Sequence, residues 1–298
     1  MFQQLAGVIL PVVLIAAVGY LWAWFKRPFD NRLVTQLVST IGSPCLVADS
    51  LISLHVQPGE LGKMALATAL VFTVMFVLGY ATLRIMKLPN HSYLPAIVFS
   101  NSGNMGLPLA FFAFGNSGLA LAVVYFAFSS TLQFTAGVSI AAGSTSLRLL
   151  LRMPVIYAVL ASILVLVTGI PVPLFISNTL EILAGLTIPL MLLALGVSLA
   201  TLKIRSLPRN LFFSLLRMIG GFAISFLVGW ALDLPAMARG VLLIQASMPV
   251  AVFSYLFAQY YQRRPDDVAA MVIISTLLSF GTLPFLIYYV LHASGATP

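Results

Sequence analysis

Asn101, Ser102, Asn104, Gln245 and Ser247 place amides and hydroxyls in stretches that are otherwise almost all hydrocarbon. The first three lie in FSNSGNMGLPLAFFAFG, Phe99 to Gly115, together with Gly103, Gly106 and Pro108. The last two lie in QASMPVA, Gln245 to Ala251, with Pro249. Such groups are neutral donors and acceptors, so the chemistry they offer is binding rather than bond breaking. Glycine loosens a backbone; proline removes a donor and clashes with the preceding turn, yet suits the first turn of a new helix. Each stretch is therefore expected to interrupt one helix and open another, capped by Asn104 or Ser247. A simple proline kink repaired by nearby Ser and Asn is the plainer reading. The density of small and polar residues, and their recurrence in two places, weigh against it.

The elements that must hold these residues are membrane helices. The chain is 61% hydrophobic and 7% charged with a mean hydropathy of +1.07, whereas soluble domains are about 25% charged. Ten apolar runs are expected to span a bilayer, at about 4–24, 33–53, 63–85, 92–115, 118–142, 153–170, 174–200, 209–232, 236–260 and 267–291. The net charge of +8 would suit nucleic acid if it were clustered, but it follows the positive-inside rule instead. Lys26, Arg27, Arg32, Arg84, Lys87, Arg148, Arg152, Lys203, Arg205, Arg209, Arg263 and Arg264 fall on one side, and Lys63 and Arg239 on the other. That split puts both termini outside a cell (inner or plasma) membrane and leaves no nucleic-acid partner. The first run lacks a basic leader region and reads as a retained span. Cys45 is the sole cysteine, so no disulfide forms within the chain.

Prolines mark an internal repeat. Pro11 and Pro154, Pro44 and Pro189, and Pro108 and Pro249 are separated by 143, 145 and 141 residues. Two five-helix halves are expected, 1–145 and 146–298, and an odd helix count inverts the second relative to the first. Helices 4 and 9 are then the interrupted pair. An unsatisfied backbone group in lipid costs several kcal/mol, so breaks there must be buried in protein or face a wet cavity. Two half-helix N-termini near the bilayer centre attract an anion, and the carbonyls ending the preceding half-helices can hold a cation.

Further polar groups are candidates. Gln133, in SSTLQFT, ranks first among the residues of helix 5, with Ser275, Thr276, Ser279 and Thr282 in its mate, helix 10. Helix–helix glue is the alternative for each Ser and Thr. Asp49, Glu181 and Arg217 are ionisable groups within spans and hence candidates for coupling or charge. Asp49 is either a proton-coupling acid or a hydrated vestibule residue. Arg217 either attracts the substrate anion, snorkels, or pairs with an acid, Glu181 lying within its reach. Seven acids without a DxxD pair, and no HExxH or GxSxG, supply no catalytic or metal-binding apparatus, so neither an enzyme nor a bound cofactor is expected.

NSGNMGLPL resembles the helix 4 signature of the auxin efflux carrier family. PLMLLALGVSLA, Pro189 to Ala200, and ASMPVAVFSYLFAQYY, Ala246 to Tyr261, resemble its helix 7 and helix 9 patterns. The resemblance implies the fold shared with bile-acid sodium symporters: an all-α integral membrane protein of ten transmembrane helices in two inverted repeats, with broken helices 4 and 9 crossing. Helices 1, 2, 6 and 7 would form a scaffold, and helices 3–5 and 8–10 a transport core moving by alternating access. It carries crossover roles onto Asn101, Asn104, Pro108, Gln245 and Pro249, implies a small organic anion such as malonate or an auxin-like acid as substrate, and leaves a homodimer through the scaffold open. A sodium-coupled member would be expected to carry an acid in the helix 9 break, where Gln245 and Ser247 stand, which argues against sodium. The alternatives are a sodium-coupled symporter of a larger anion, a channel, or a sensor.

Overall fold

A computed structural model describes residues 2–52, 58–143, 154–201 and 207–293. The boundary expected between the halves, with Arg148 and Arg152, lies outside the described residues, as do Lys203 and Arg205. Helices account for nearly all of the described chain: α1 (Phe2–Trp24), α2 (Asn31–Leu37), α3 (Ser43–Ile52), α4 (Pro58–Ile85), α5 (Asn90–Val98), α6 (Leu107–Leu132), α7 (Val138–Ala142), α8 (Pro154–Thr168), α9 (Leu174–Thr201), α10 (Leu207–Ala231), α11 (Ala236–Ser247), α12 (Val252–Tyr260) and α13 (Pro265–Ala293). Three π turns, Val38–Gly42, Ser102–Gly106 and Gln133–Gly137, join α2 to α3, lead into α6, and join α6 to α7. Among the described residues, five helical stretches are long and apolar enough to cross a membrane, Gly59–Ile85, Ser102–Ala142, Leu174–Ala200, Leu207–Ala231 and Pro265–His292; shorter apolar helices include Leu10–Trp24, Thr40–Ile52, Pro154–Val165 and Ala236–Ser247. Leu164, Ile182, Leu227, Trp230 and Phe285 point outward, an apolar surface suited to hydrocarbon rather than water.

The long stretch through α6 is folded back within itself. Gly115 has φ 64° and ψ −154°, a combination essentially confined to glycine, and it falls where the sequence ends its fourth expected span. Packing joins α1 to α9, and α3 to both α8 and α9. Around the interrupted segments, α4, α5, α6, α10, α11 and α13 pack against one another. Val12, Met105, Leu109, Leu192, Leu195, Ile244 and Ile287, from α1, a π turn, α6, α9, α11 and α13, share one apolar cluster.

The starts of α5, α10 and α13 are tied together by Asp267. Its carboxylate accepts from Tyr93 Oη (2.6 Å), Arg209 Nη2 (2.8 Å) and Asn210 Nδ2 (3.4 Å), with Arg264 Nη1 at 3.7 Å and the Arg209 guanidinium over the Tyr93 ring. An acid in the first turn of α13 also complements that helix's dipole. Replacing Asp267 with alanine removes the acceptor shared by the buried Tyr93 hydroxyl and the half-buried Arg209 guanidinium. A loss of about 2–3 kcal/mol is expected, read as a lower midpoint of thermal unfolding in detergent, with Asp267→Asn recovering part of it.

Candidate functional site

Both expected helix breaks are present, and they meet. After α5 the backbone is extended at Phe99 (φ −92°, ψ 121°) and after α11 at Met248 (φ −60°, ψ 151°). Ser100 and Val250 form an isolated antiparallel bridge, the Asn101 N–H donating to Pro249 O (2.7 Å) and the Ala251 N–H to Phe99 O (3.1 Å). Pro249 contributes only a carbonyl, which is all a proline can offer. The Val250 N–H donates to Ser275 Oγ (3.0 Å), and the N–H groups of Met105 and Gly106 share Asn101 O. The breaks thus satisfy much of their own backbone, as burial in an apolar bundle requires.

The carbonyls that end α5 and α11 have a different partner. Arg217, 1% exposed, donates from Nη1 to Ile97 O (3.2 Å) and Val98 O (2.5 Å), and from Nη2 to Ala246 O. One guanidinium therefore closes the carbonyl ends of both interrupted helices. Gly221, one turn along α10, lets this happen: a Cβ there would overlap Ala246 O and Arg217 Nη2. Arg217 does not pair with Glu181, correcting the reach expected from sequence. Glu181 is exposed on α9, while both terminal nitrogens of Arg217 are committed to backbone. The arginine does not snorkel either.

Several polar side chains at the breaks are buried with atoms that have no partner in the protein. These are Asn101 Nδ2, Ser247 Oγ, and both Oε1 and Nε2 of the fully buried Gln245. The Gln245 amide lies against Gly106, where a Cβ would overlap its Oε1. Asn104 and Gly103 are half-buried in the π turn, and Gly103 faces Phe126 and Met191. Pro108 stands in the first turn of α6, as its chemistry favours. Gln133 heads the next π turn, buried, with Nε2 unpartnered; at the end of that turn Gly137 abuts the Phe99 ring beside the break. Asp49 is half-buried on α3, one turn after Cys45. The structure thus gathers Asn101, Gly106, Gln245 and Pro249 at one place, and leaves Glu181 on the surface.

The contacts made by three residues do not follow from the sequence reading. Ser275 was a generic member of a hydroxyl row, and no spacing rule distinguishes it as an acceptor for Val250. Asp267 is one of the seven acids, and nothing near it in sequence shows which helices it joins. The role of Arg217 had a legible trace in the Arg-x-x-x-Gly spacing to Gly221, which puts a clear path beside the guanidinium on one helical face.

Two interrupted helices are thus paired through their breaks, beside buried polar atoms without protein partners. Residues 138–287 match the family model described as membrane transport protein. The chain belongs to that family, the family of auxin efflux carriers. This transporter is 24% identical to an uncharacterized transporter of Methanocaldococcus jannaschii over 91% of its own length and 94% of the relative's. It is 27% identical to a provisionally named malonate transporter of Rhizobium meliloti, covering 78% and 76% of the two chains. Auxin efflux carrier component 1 of Arabidopsis thaliana is 28% identical over 41% of this transporter and 20% of the plant protein. The resemblance to the auxin efflux carrier family is therefore borne out, and the protein is a multi-pass membrane transporter.

Proposed function

We propose that the protein is a secondary active transporter of small organic anions, carboxylates of the malonate or auxin-like kind, working by alternating access around the paired breaks. One observation carries this reading: unpartnered buried polar atoms on Asn101, Gln245 and Ser247 where two helices are interrupted. Buried polar groups without partners are costly, and a bound carboxylate accepting from the amide and hydroxyl donors would relieve that cost. The half-helices beginning at Ser102 and Val252 add N-terminal N–H groups and the positive ends of two dipoles. Asn104 and Gln133 complete the proposed contacts, and Gly103, Gly106, Pro108 and Pro249 shape the site. The names of the malonate and auxin relatives favour the same substrate class.

The architecture we infer has ten spans in two inverted five-helix repeats. The α1–α9 and α3–α8 packing supports a scaffold, and the helices packed around the breaks support a moving core. Both termini would face outward across a cell membrane. Asp49, half-buried on the scaffold side, is the candidate for proton coupling.

The deciding experiment is solid-supported-membrane electrophysiology on proteoliposomes, with a panel of small carboxylates added at several pH values. A saturable current for one carboxylate class is expected, steepening with a pH gradient if protons are coupled. Current that rises linearly without saturation would favour a channel, and binding without flux a sensor. Asn104→Ala is expected to lower apparent affinity at least about tenfold, the equivalent of 1.4 kcal/mol. A variant that binds and transports like wild type would remove Asn104 from the site.

A further inference from the structure

Carriers built on two broken helices hold their coupling cation with unwound carbonyls and half-helix C-termini. In this protein three of those carbonyls, Ile97 O and Val98 O in the last turn of α5 and Ala246 O in the last turn of α11, are taken by Arg217. The residues do not fit a bound sodium ion as well. A hard cation needs several oxygen ligands, usually including a carboxylate, whereas the α11 break offers Gln245 and Ser247, and the carbonyls face a charged group. We propose that Arg217 is the protein's resident cation: its guanidinium fills the place of a coupling ion, holds the two carbonyl ends together through the transport cycle, and makes transport independent of sodium. This rests on the proposed carrier function and adds the identity of the charge at the crossover.

Three features argue for charge at this position and not for packing alone. First, each half-helix C-terminus carries about half a negative charge, so two meeting in a dry interior repel, and one guanidinium lies between them. Second, the planar fork reaches both helices at once, which a single point charge does less well. Third, Gly221 removes the side chain that would keep the guanidinium away from Ala246 O. The same positive centre lies near the break bearing Gln245, one residue before Ala246, and so adds to the attraction for an anion without touching it. Arg217 is thus a positioning residue, acting through the helix ends.

The test compares wild type with Arg217→Lys, Arg217→Gln and Arg217→Ala, each as the full chain purified in detergent and reconstituted in liposomes. Wild-type carboxylate uptake and thermal midpoint should be unchanged when sodium is replaced by choline. Arg217→Ala should melt at least about 5 °C lower. Millimolar guanidinium should raise its midpoint and restore part of its uptake, while choline at equal concentration does neither. Arg217→Lys should keep more activity than Arg217→Gln, since lysine preserves charge and glutamine only donors. If the alanine variant cannot be purified, this Lys–Gln comparison decides the matter. Sodium-dependent uptake by wild type, an alanine variant indistinguishable from wild type or insensitive to guanidinium, or a glutamine variant equal to or better than lysine would each overturn the proposal. The melting readout needs no substrate. If wild type moves no carboxylate yet guanidinium stabilises Arg217→Ala, the carrier reading fails and the resident cation stands.

Discussion

Gly106→Ala is expected to lower carboxylate uptake about five- to tenfold while leaving the fold nearly intact. A Cβ at this position would overlap Gln245 Oε1 and lie 2.8 Å from its Cδ. The obstacle is the far end of a flexible side chain, so the protein can respond by rotating the amide away instead of parting the backbones. That response moves the one side chain among the described residues whose two polar atoms are both buried without partners. A substrate hydrogen bond of about 1 to 1.5 kcal/mol goes with it, which is about a factor of five to ten in apparent affinity. The check is a double-mutant cycle on uptake with Gly106→Ala, Gln245→Ala and the pair. If the glycine acts through the amide, the double variant should be little worse than Gln245→Ala alone. Full additivity would mean that Gly106 matters for some reason other than Gln245. The thermal midpoint of Gly106→Ala should stay within a few degrees of wild type.

Much of this site was legible in sequence because helix breaks are written in local chemistry. Gly-x-x-Gly-x-Pro in one segment and Ser-Met-Pro in the other announce lost hydrogen bonds wherever they occur, and Gly115 marks the reversal after the first. Apart from the Asn101 carbonyl that serves Met105 and Gly106, what remained hidden was how the lost bonds are recovered, because the partners come from elsewhere in the chain. Arg217 is over a hundred residues from Ile97, and Ser275 is 25 residues from Val250. Depth along a helix suggested Glu181 as a partner for Arg217, yet depth says nothing about rotation around the axis, and Glu181 faces outward. The π turns were equally invisible. Gln133–Gly137 and Val38–Gly42 contain no proline, and a single extra residue in a turn leaves no compositional mark. The role of Asp267 is hidden for a related reason. An acid in a polar flank looks solvated until the starts of two other helices are brought against it.

Gly196→Ala is expected to have the largest effect on stability of any substitution considered. At this position on α9 a Cβ would overlap the Ala16 carbonyl oxygen of α1 and lie 2.7 Å from Tyr20 N. The contact is reciprocal, since a Cβ at Gly19 would overlap Leu193 O. Unlike the neighbour of Gly106, these are backbone atoms inside helices and cannot swing aside, so α1 and α9 must separate along their whole line of contact. Small residues at such a seam let helices approach closely enough for dispersion to hold them in lipid, where no hydrophobic driving force acts. Overpacking of this kind costs about 3 kcal/mol or more. The expected result is poor yield of folded protein or a sharply lowered midpoint in thermal unfolding. Gly185, on the same helix with nothing within 4 Å of its Cβ position, supplies the control: Gly185→Ala should fall within about 0.5 kcal/mol of wild type. The pair also probes the division of labour. If α1 and α9 belong to a fixed scaffold, the Gly196→Ala protein that does fold should keep the wild-type apparent affinity for carboxylate and lose only capacity in proportion to its folded fraction. A changed affinity at constant folded fraction would instead tie the seam to the substrate site, and α1 and α9 would then have to be counted among the parts that respond to the anion.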